Sequence, residues 1–200
     1  MIVHAVLVSV LMLGAADESK RKAGSSGDRI DRVIAVVDQD VITETELILE
    51  ARLALALRGA VDAASKQIEA RFLTTFLDYL VNQLLISSQA RRLGIVEVSD
   101  DELAEALERF VDRFGSTAAF EDFLRRFGIS EERLNASLLR DLRNGRYVTR
   151  RMRVRLMGRE LEPTAKEYQD ALDRWLKELR DSAEIRLLGP DGRLMLRANK

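Results

Sequence analysis

Phe72-Leu73-Thr74-Thr75-Phe76-Leu77-Asp78-Tyr79-Leu80-Val81-Asn82-Gln83-Leu84-Leu85 is the stretch on which the fold turns. Phe72, Leu73, Phe76, Leu77, Leu80, Val81, Leu84 and Leu85 fall in two adjoining helical rows, leaving Arg71, Thr75, Asp78 and Asn82 as a narrow polar strip. An apolar face that wide belongs to a central helix packed from several sides. The pattern predicts a helix from Lys66 to Leu93, the longest in the chain. Gly94 closes it, at the position that favours left-handed backbone.

The segments that follow are also helical. Ser99 and Glu102 have capping-box spacing, and Leu103, Leu107, Phe110 and Phe114 recur at intervals of four, three and four before Gly115. A shorter helix carries Phe120, Phe123, Leu124 and Phe127 and stops at Gly128. Ser130 caps a long one with Leu134, Leu138, Leu142, Val148, Met152 and Leu156 on one face. After Pro163, Thr164 and Glu167 give a further capping box, and Tyr168, Leu172, Trp175 and Leu179 define a helix over 165–181. Beyond Ser182 the period changes to alternation. Ile185 and Leu187, a Gly189-Pro190-Asp191-Gly192 turn, then Leu194 and Leu196 read as strands over 183–197.

Upstream of the central helix, Arg32-Val33-Ile34-Ala35-Val36-Val37, a polar turn at Asp38-Gln39-Asp40 and Val41-Ile42 make a hairpin. Thr43 and Glu46 then start a helix at Glu44 that runs to Arg58 and stops at Gly59. A two-stranded hairpin alone is marginal in water, and pairing with the C-terminal strand supplies the missing neighbour. The expected fold is therefore mainly α: one multi-helix domain over 29–200, closed by a small antiparallel β element made from the N- and C-terminal ends.

Met1–Ala16 is an apolar run ending in Leu13-Gly14-Ala15-Ala16, the anatomy of a secretory signal peptide, with cleavage expected after Ala16. That implies export and no membrane anchor after cleavage. Residues 17–28, with Lys20-Arg21-Lys22 and Gly24-Ser25-Ser26-Gly27, have linker composition.

Composition bounds the chemistry. The 200 residues contain no Cys and one His, His4, which signal cleavage would remove. Disulfides, thiolate nucleophiles and Cys/His metal sites are excluded from the mature chain. Glu97, Asp100, Asp101, Glu102 and Glu105 read as the acidic first turn of a helix rather than a cation site. There is no Gly-rich phosphate loop, and no Ser or Lys is paired with an activating base. The sequence thus nominates no catalytic residue, cofactor or metal.

With 32 Lys plus Arg against 33 Asp plus Glu, the net charge of −1 creates no global field, so anion binding would need a local patch. Arg140, Arg143, Arg146, Arg150, Arg151, Arg153, Arg155 and Arg159 supply one on the Ser130 helix, which makes nucleic-acid binding a second hypothesis. The acidic stretch from Asp100 to Asp122 favours mutual neutralisation of the two helices instead, and nucleic acid is not an expected partner. All seven phenylalanines lie between Phe72 and Phe127. Most belong to a core, but Phe110, Phe114, Phe120, Phe123 and Phe127 sit on two short neighbouring helices. They are the nominated lining of an apolar peptide-binding groove.

Three of these stretches, in order, resemble the core module of SurA-type periplasmic chaperones. They are Asp31–Asp38 with Val41-Ile42 and its capped helix, Leu80–Ile86 through Leu93-Gly94-Ile95 to Val98–Leu103, and Ala171–Arg180 with Ala183–Leu188. In that family, parvulin-type prolyl isomerase domains usually sit between the long helix corresponding to Ser130–Met157 and the C-terminal helix. Here only Gly158–Thr164 separate the two. The resemblance implies a non-enzymatic, ATP-independent periplasmic holdase that binds unfolded outer-membrane or secreted polypeptides through apolar surface. An adaptor subunit docking one dedicated envelope partner is the alternative, and oligomeric state is left open.

Overall fold

In a computed structural model of the chain, the residues described are 31–94, 97–189 and the backbone of 194–195. The signal segment, the 17–28 linker and the Pro190–Gly192 part of the C-terminal turn lie outside them. The order is β1 (Val33–Val37), β2 (Asp40–Thr43), α1 (Glu44–Leu57), α2 (Val61–Ala64), α3 (Ala70–Leu93), α4 (Asp100–Asp112), α5 (Thr117–Phe127), α6 (Glu131–Arg155), α7 (Lys166–Ser182), β3 (Ile185–Leu188) and β4 (Leu194–Met195). The fold is mainly α with one small antiparallel sheet of order β2-β1-β3-β4.

The two ends of the described chain meet in that sheet. β1 pairs antiparallel with β2, Val36 opposite Val41, and on its other side with β3, Ala35 opposite Leu187 and Val37 opposite Ile185. Asp38 fastens the join. Its φ of 53° turns the hairpin, its N–H donates to the Glu184 carbonyl at 2.8 Å, and its carboxylate accepts from the Glu184 N–H at 2.9 Å. Ala35, Val37 and Ile42 face inward and are buried against the helices.

α3 lies at the centre, in contact with α1, α6, α7 and β1. Phe76, Leu80, Val81, Leu85, Ile86 and Ala90 bury into a main core with Tyr147, Val148 and Met152 of α6 and Tyr168, Leu172 and Trp175 of α7. Trp175 meets Tyr147 edge-on, ring centres 5.8 Å apart. The polar strip on α3 has a partner too: Arg180 of α7 donates to Asn82 Oδ1 at 2.7 Å and to Asp78 Oδ1 at 2.9 Å. A second core joins α1 and α2 to α4, α5 and the start of α6 through Leu53, Leu55, Phe110, Phe123, Leu134 and Leu138.

Helix starts show where sequence spacing translated into bonds. Ser99 and Glu102 form both halves of a capping box, and Ser116 and Ser130 accept from the backbone three residues on. Thr43 accepts from the Glu46 N–H, but the Glu46 carboxylate turns to Arg133 at 3.4 Å instead of reaching back.

Four expectations need correction. α3 begins at Ala70, not Lys66, because Arg52 of α1 takes the carbonyls of Ala64 and Lys66 and holds that stretch as a turn after α2, which periodicity had not revealed. α6, with 25 residues against 24 for α3, is the longest described helix. Thr164 makes no cap. α7 starts at Lys166 after Ala165, and the Glu167 carboxylate is held by Arg159. The first C-terminal strand begins at Ile185 rather than Ala183, while 190–193 and 196–197 lie outside the described residues.

Two substitutions probe this packing. Trp175→Ala empties a site 2 % exposed in the main core and should lower unfolding free energy by about 3–5 kcal/mol in a urea titration. The Tyr168 hydroxyl is buried with no hydrogen-bond partner among the described residues, so Tyr168→Phe should leave stability equal or higher by about 1 kcal/mol.

Candidate functional site

The five nominated phenylalanines come together. α4 and α5 are both strongly amphipathic, and the tight Gly115–Ser116 link folds one back on the other so that their aromatic faces meet. Phe114 lies 5.4 Å from Phe110, 5.7 Å from Phe120 and 5.0 Å from Phe123, centre to centre, and Phe123 lies 5.1 Å from Phe127. Tilted and edge-on contacts of this kind suit the ring quadrupoles.

Burial divides them. Phe110 and Phe123 are closed into the second core, at 0 % and 4 % exposure, while Phe114, Phe120 and Phe127 are half-buried at its margin. Phe127 is partly roofed by Arg52, whose guanidinium carbon sits 3.8 Å from the ring centre. That position holds the Arg52 pKa below its ordinary value, chiefly by desolvation and then by the neighbouring charge of Arg126. Other elements complete the margin. Leu49 and Leu57 of α1, Leu103 and Leu107 of α4, and Ile68 with Phe72 at the start of α3 are half-buried against the same cluster. Ile68 and Phe72 also touch the main core and so lie where the two cores join. Neither was legible as part of this margin from sequence, where Phe72 belongs to the apolar face of the central helix and Ile68 lies outside that face. Their signal was Ile68 standing just before the wide apolar face begins.

Two polar clusters lie inside the helical body. Asn144, fully buried on α6, accepts from Ser87 Oγ at 2.9 Å and donates to the Gln83 side chain at 2.8 Å and the Gln83 carbonyl at 3.0 Å, both on α3. Glu50 of α1 is buried beside Arg140 and Ser137 of α6, with Ser137 Oγ donating at 3.3 Å and the Arg133 guanidinium forming a looser ion pair at 3.8 Å. Between the clusters is a cavity of about 30 Å³ lined in part by Glu50, Tyr79, Gln83, Ser137 and Asp141. Tyr79 is pushed above the usual phenol range, first by burial and then by the Asp141 charge. Glu50, Ser137, Ser87 and Asn144 are engaged in joining helices, and none of them is arranged as a nucleophile with an orienting base. Among the described residues no group of three or more His, Cys, Asp or Glu is placed to hold a metal ion.

The arginines of α6 are largely paired. Arg140 meets Glu50, Arg146 meets Glu102, Arg153 meets Glu160, Arg155 meets Glu178, and Arg159, just past the helix, meets Glu167. Neutralisation therefore comes from α1, α7 and the α6–α7 turn as well as α4, and among the described residues Arg146–Glu102 is the one ion pair between α6 and α4. These pairs differ in worth. Arg140→Ala strands the buried Glu50 and should destabilise by about 3 kcal/mol. Arg153→Ala, at the surface, should change stability by less than about 1 kcal/mol in the same denaturation assay.

No described helix is long and apolar enough to cross a membrane. A family model described as "SurA-like N-terminal domain" matches residues 1–148. The chain is also similar to Chaperone SurA of Pseudomonas putida, 26% identical over 162 residues, which covers 79% of this chain and 36% of that protein. The chain thus spans about a third of the length of that curated relative.

Proposed function

Because the chain belongs to the SurA-like N-terminal domain family, we propose that it is an exported, ATP-independent holdase shielding apolar stretches of unfolded outer-membrane or secreted polypeptides in the periplasm. The observation that carries the reading is the half-buried aromatic margin of the second core. Phe114, Phe120 and Phe127 stand around two closed rings and are joined by Phe72 and Ile68. Rings fixed from below and open above offer apolar area without the entropy loss of ordering long flexible side chains. A client gives up chain entropy on binding, so affinity is expected near micromolar, about −8 kcal/mol. Phe110 and Phe123 hold the platform from beneath, and no step of chemistry or cofactor is involved.

The P. putida relative is named a chaperone, which supports a chaperone role. The small residues ending at Ala16 support export. α6 and α7 are joined directly by residues 156–165, so in this chain no isomerase domain stands between those helices.

The test is light scattering of an unfolded outer-membrane protein diluted from urea with the mature chain present. Suppression at equimolar to several-fold excess is expected, and no effect at several-fold excess overturns the reading. Substituting Phe114, Phe120 and Phe127 together by Ser should reduce suppression at least about fivefold with helical circular dichroism unchanged. Phe110→Ala should instead lower stability by about 3–5 kcal/mol.

A further inference from the structure

The outward face of α6 is not covered by any described element over its second half, and its chemistry matches another part of the same molecule. Arg143, Arg146, Arg150 and Arg153 follow one another at intervals of three, four and three, a single row about 15 Å long on the solvent side. Val154, 68 % exposed, lies beside that row, and Met157, 90 % exposed, stands in the turn just past its end. Arg146, Thr149, Arg150, Arg153 and Val154 line a shallow open depression. No carboxylate of the described residues is within ion-pair reach of Arg143 or Arg150, in contrast to Arg146 and Arg153.

α4 carries the complement. Asp101, Glu105, Glu108 and Asp112 recur at four, three and four, all exposed, in a row about 16 Å long. α4 packs against α6, and the Arg146–Glu102 pair marks the border, so the two rows are neighbours on one molecule. A uniformly anionic partner such as a bilayer or nucleic acid would gain from one row and be repelled by the other. The partner that fits presents both signs in the same spacing.

We propose that this surface pairs with a second copy of the chain. A two-fold axis lays the α4 row of each protomer along the α6 row of the other, so every contact is made twice. Arg143 and Arg150 then gain the carboxylates they lack within the chain, and Val154 and Met157 leave water at the edge. This association is separate from client binding on α4 and α5, whose aromatic faces point inward from the acidic row.

Charge reversal with sedimentation velocity decides it, using the full mature chain. At about 100 µM protein and about 20 mM salt a dimer is expected, weakening at least tenfold by about 300 mM salt as screening shortens the reach of the charges. Arg143→Glu with Arg150→Glu, and separately Glu108→Arg with Asp112→Arg, should each be monomeric at low salt. An equimolar mixture of the two variants should form a heterodimer. A monomeric wild type at low salt, or a dimer indifferent to both reversals, overturns the proposal. So does binding of the monomer to phosphatidylglycerol vesicles that the Glu108→Arg/Asp112→Arg variant strengthens. The substituted side chains are exposed or half-buried, and circular dichroism checks folding. Should a variant unfold, the salt series on the wild type still decides.

Discussion

β1 needs a strand on each side, and one of them comes from the far end of the described chain. Asp38 and Glu184, which lock the pairing, are 146 residues apart. A contact of that separation carries a large loop-closure cost, which only the helices between can offset by packing. The sheet and the helical body are therefore mutually dependent. β1 buries Ala35 and Val37 against helices that hold their arrangement because the sheet fixes where α1 leaves and α7 ends. Proteins that close on such non-local pairing fold more slowly than simple bundles of the same size.

The helices are positioned by polar groups as well as by apolar volume. Leu, Ile and Phe contacts tolerate small sliding between helices; Asn144 does not. Its amide satisfies donor and acceptor only when Gln83 and Ser87 stand one turn apart on the facing side of α3. Glu50 does the same between α1 and α6 through Arg140 and Ser137. α6 is thus keyed to two helices by buried polar contacts, and the aromatic margin inherits a fixed frame on which α4 and α5 rest.

Most of the architecture was legible because period and capping are local. The wide apolar face of α3, the Ser99 and Ser130 caps and the switch to alternation after Ser182 each depend on residues within a few positions of one another. What escaped depended on distant partners. Thr164 and Glu167 have capping spacing, yet Arg159 competes for the carboxylate and the helix starts later. Lys66–Glu69 continue a helix on propensity, yet Arg52 takes the carbonyls. The strip of Asp78 and Asn82 reads from sequence only as a narrow polar strip, and its partner, Arg180, lies about a hundred residues away on α7. At the candidate site, the five phenylalanines could be grouped from spacing alone. Which of them are closed off, and that Ile68 and Phe72 extend the margin, depended on how α1 and α3 pack beneath.

The turn between α6 and α7 has a topological meaning. Met157 and Gly158 adopt left-handed backbone in succession, at φ 54° and 77°, and reverse the chain abruptly. Arg155–Glu178 and Arg159–Glu167 then clamp the departing and returning segments together. The chain leaves the helical body and re-enters it at almost the same point, on an exposed surface. Such a point behaves as a port: since closure entropy rises only with the logarithm of loop length, a folded module can be spliced in or removed there while the core keeps its register. The geometry of this one turn makes the α6–α7 link tolerant of insertion.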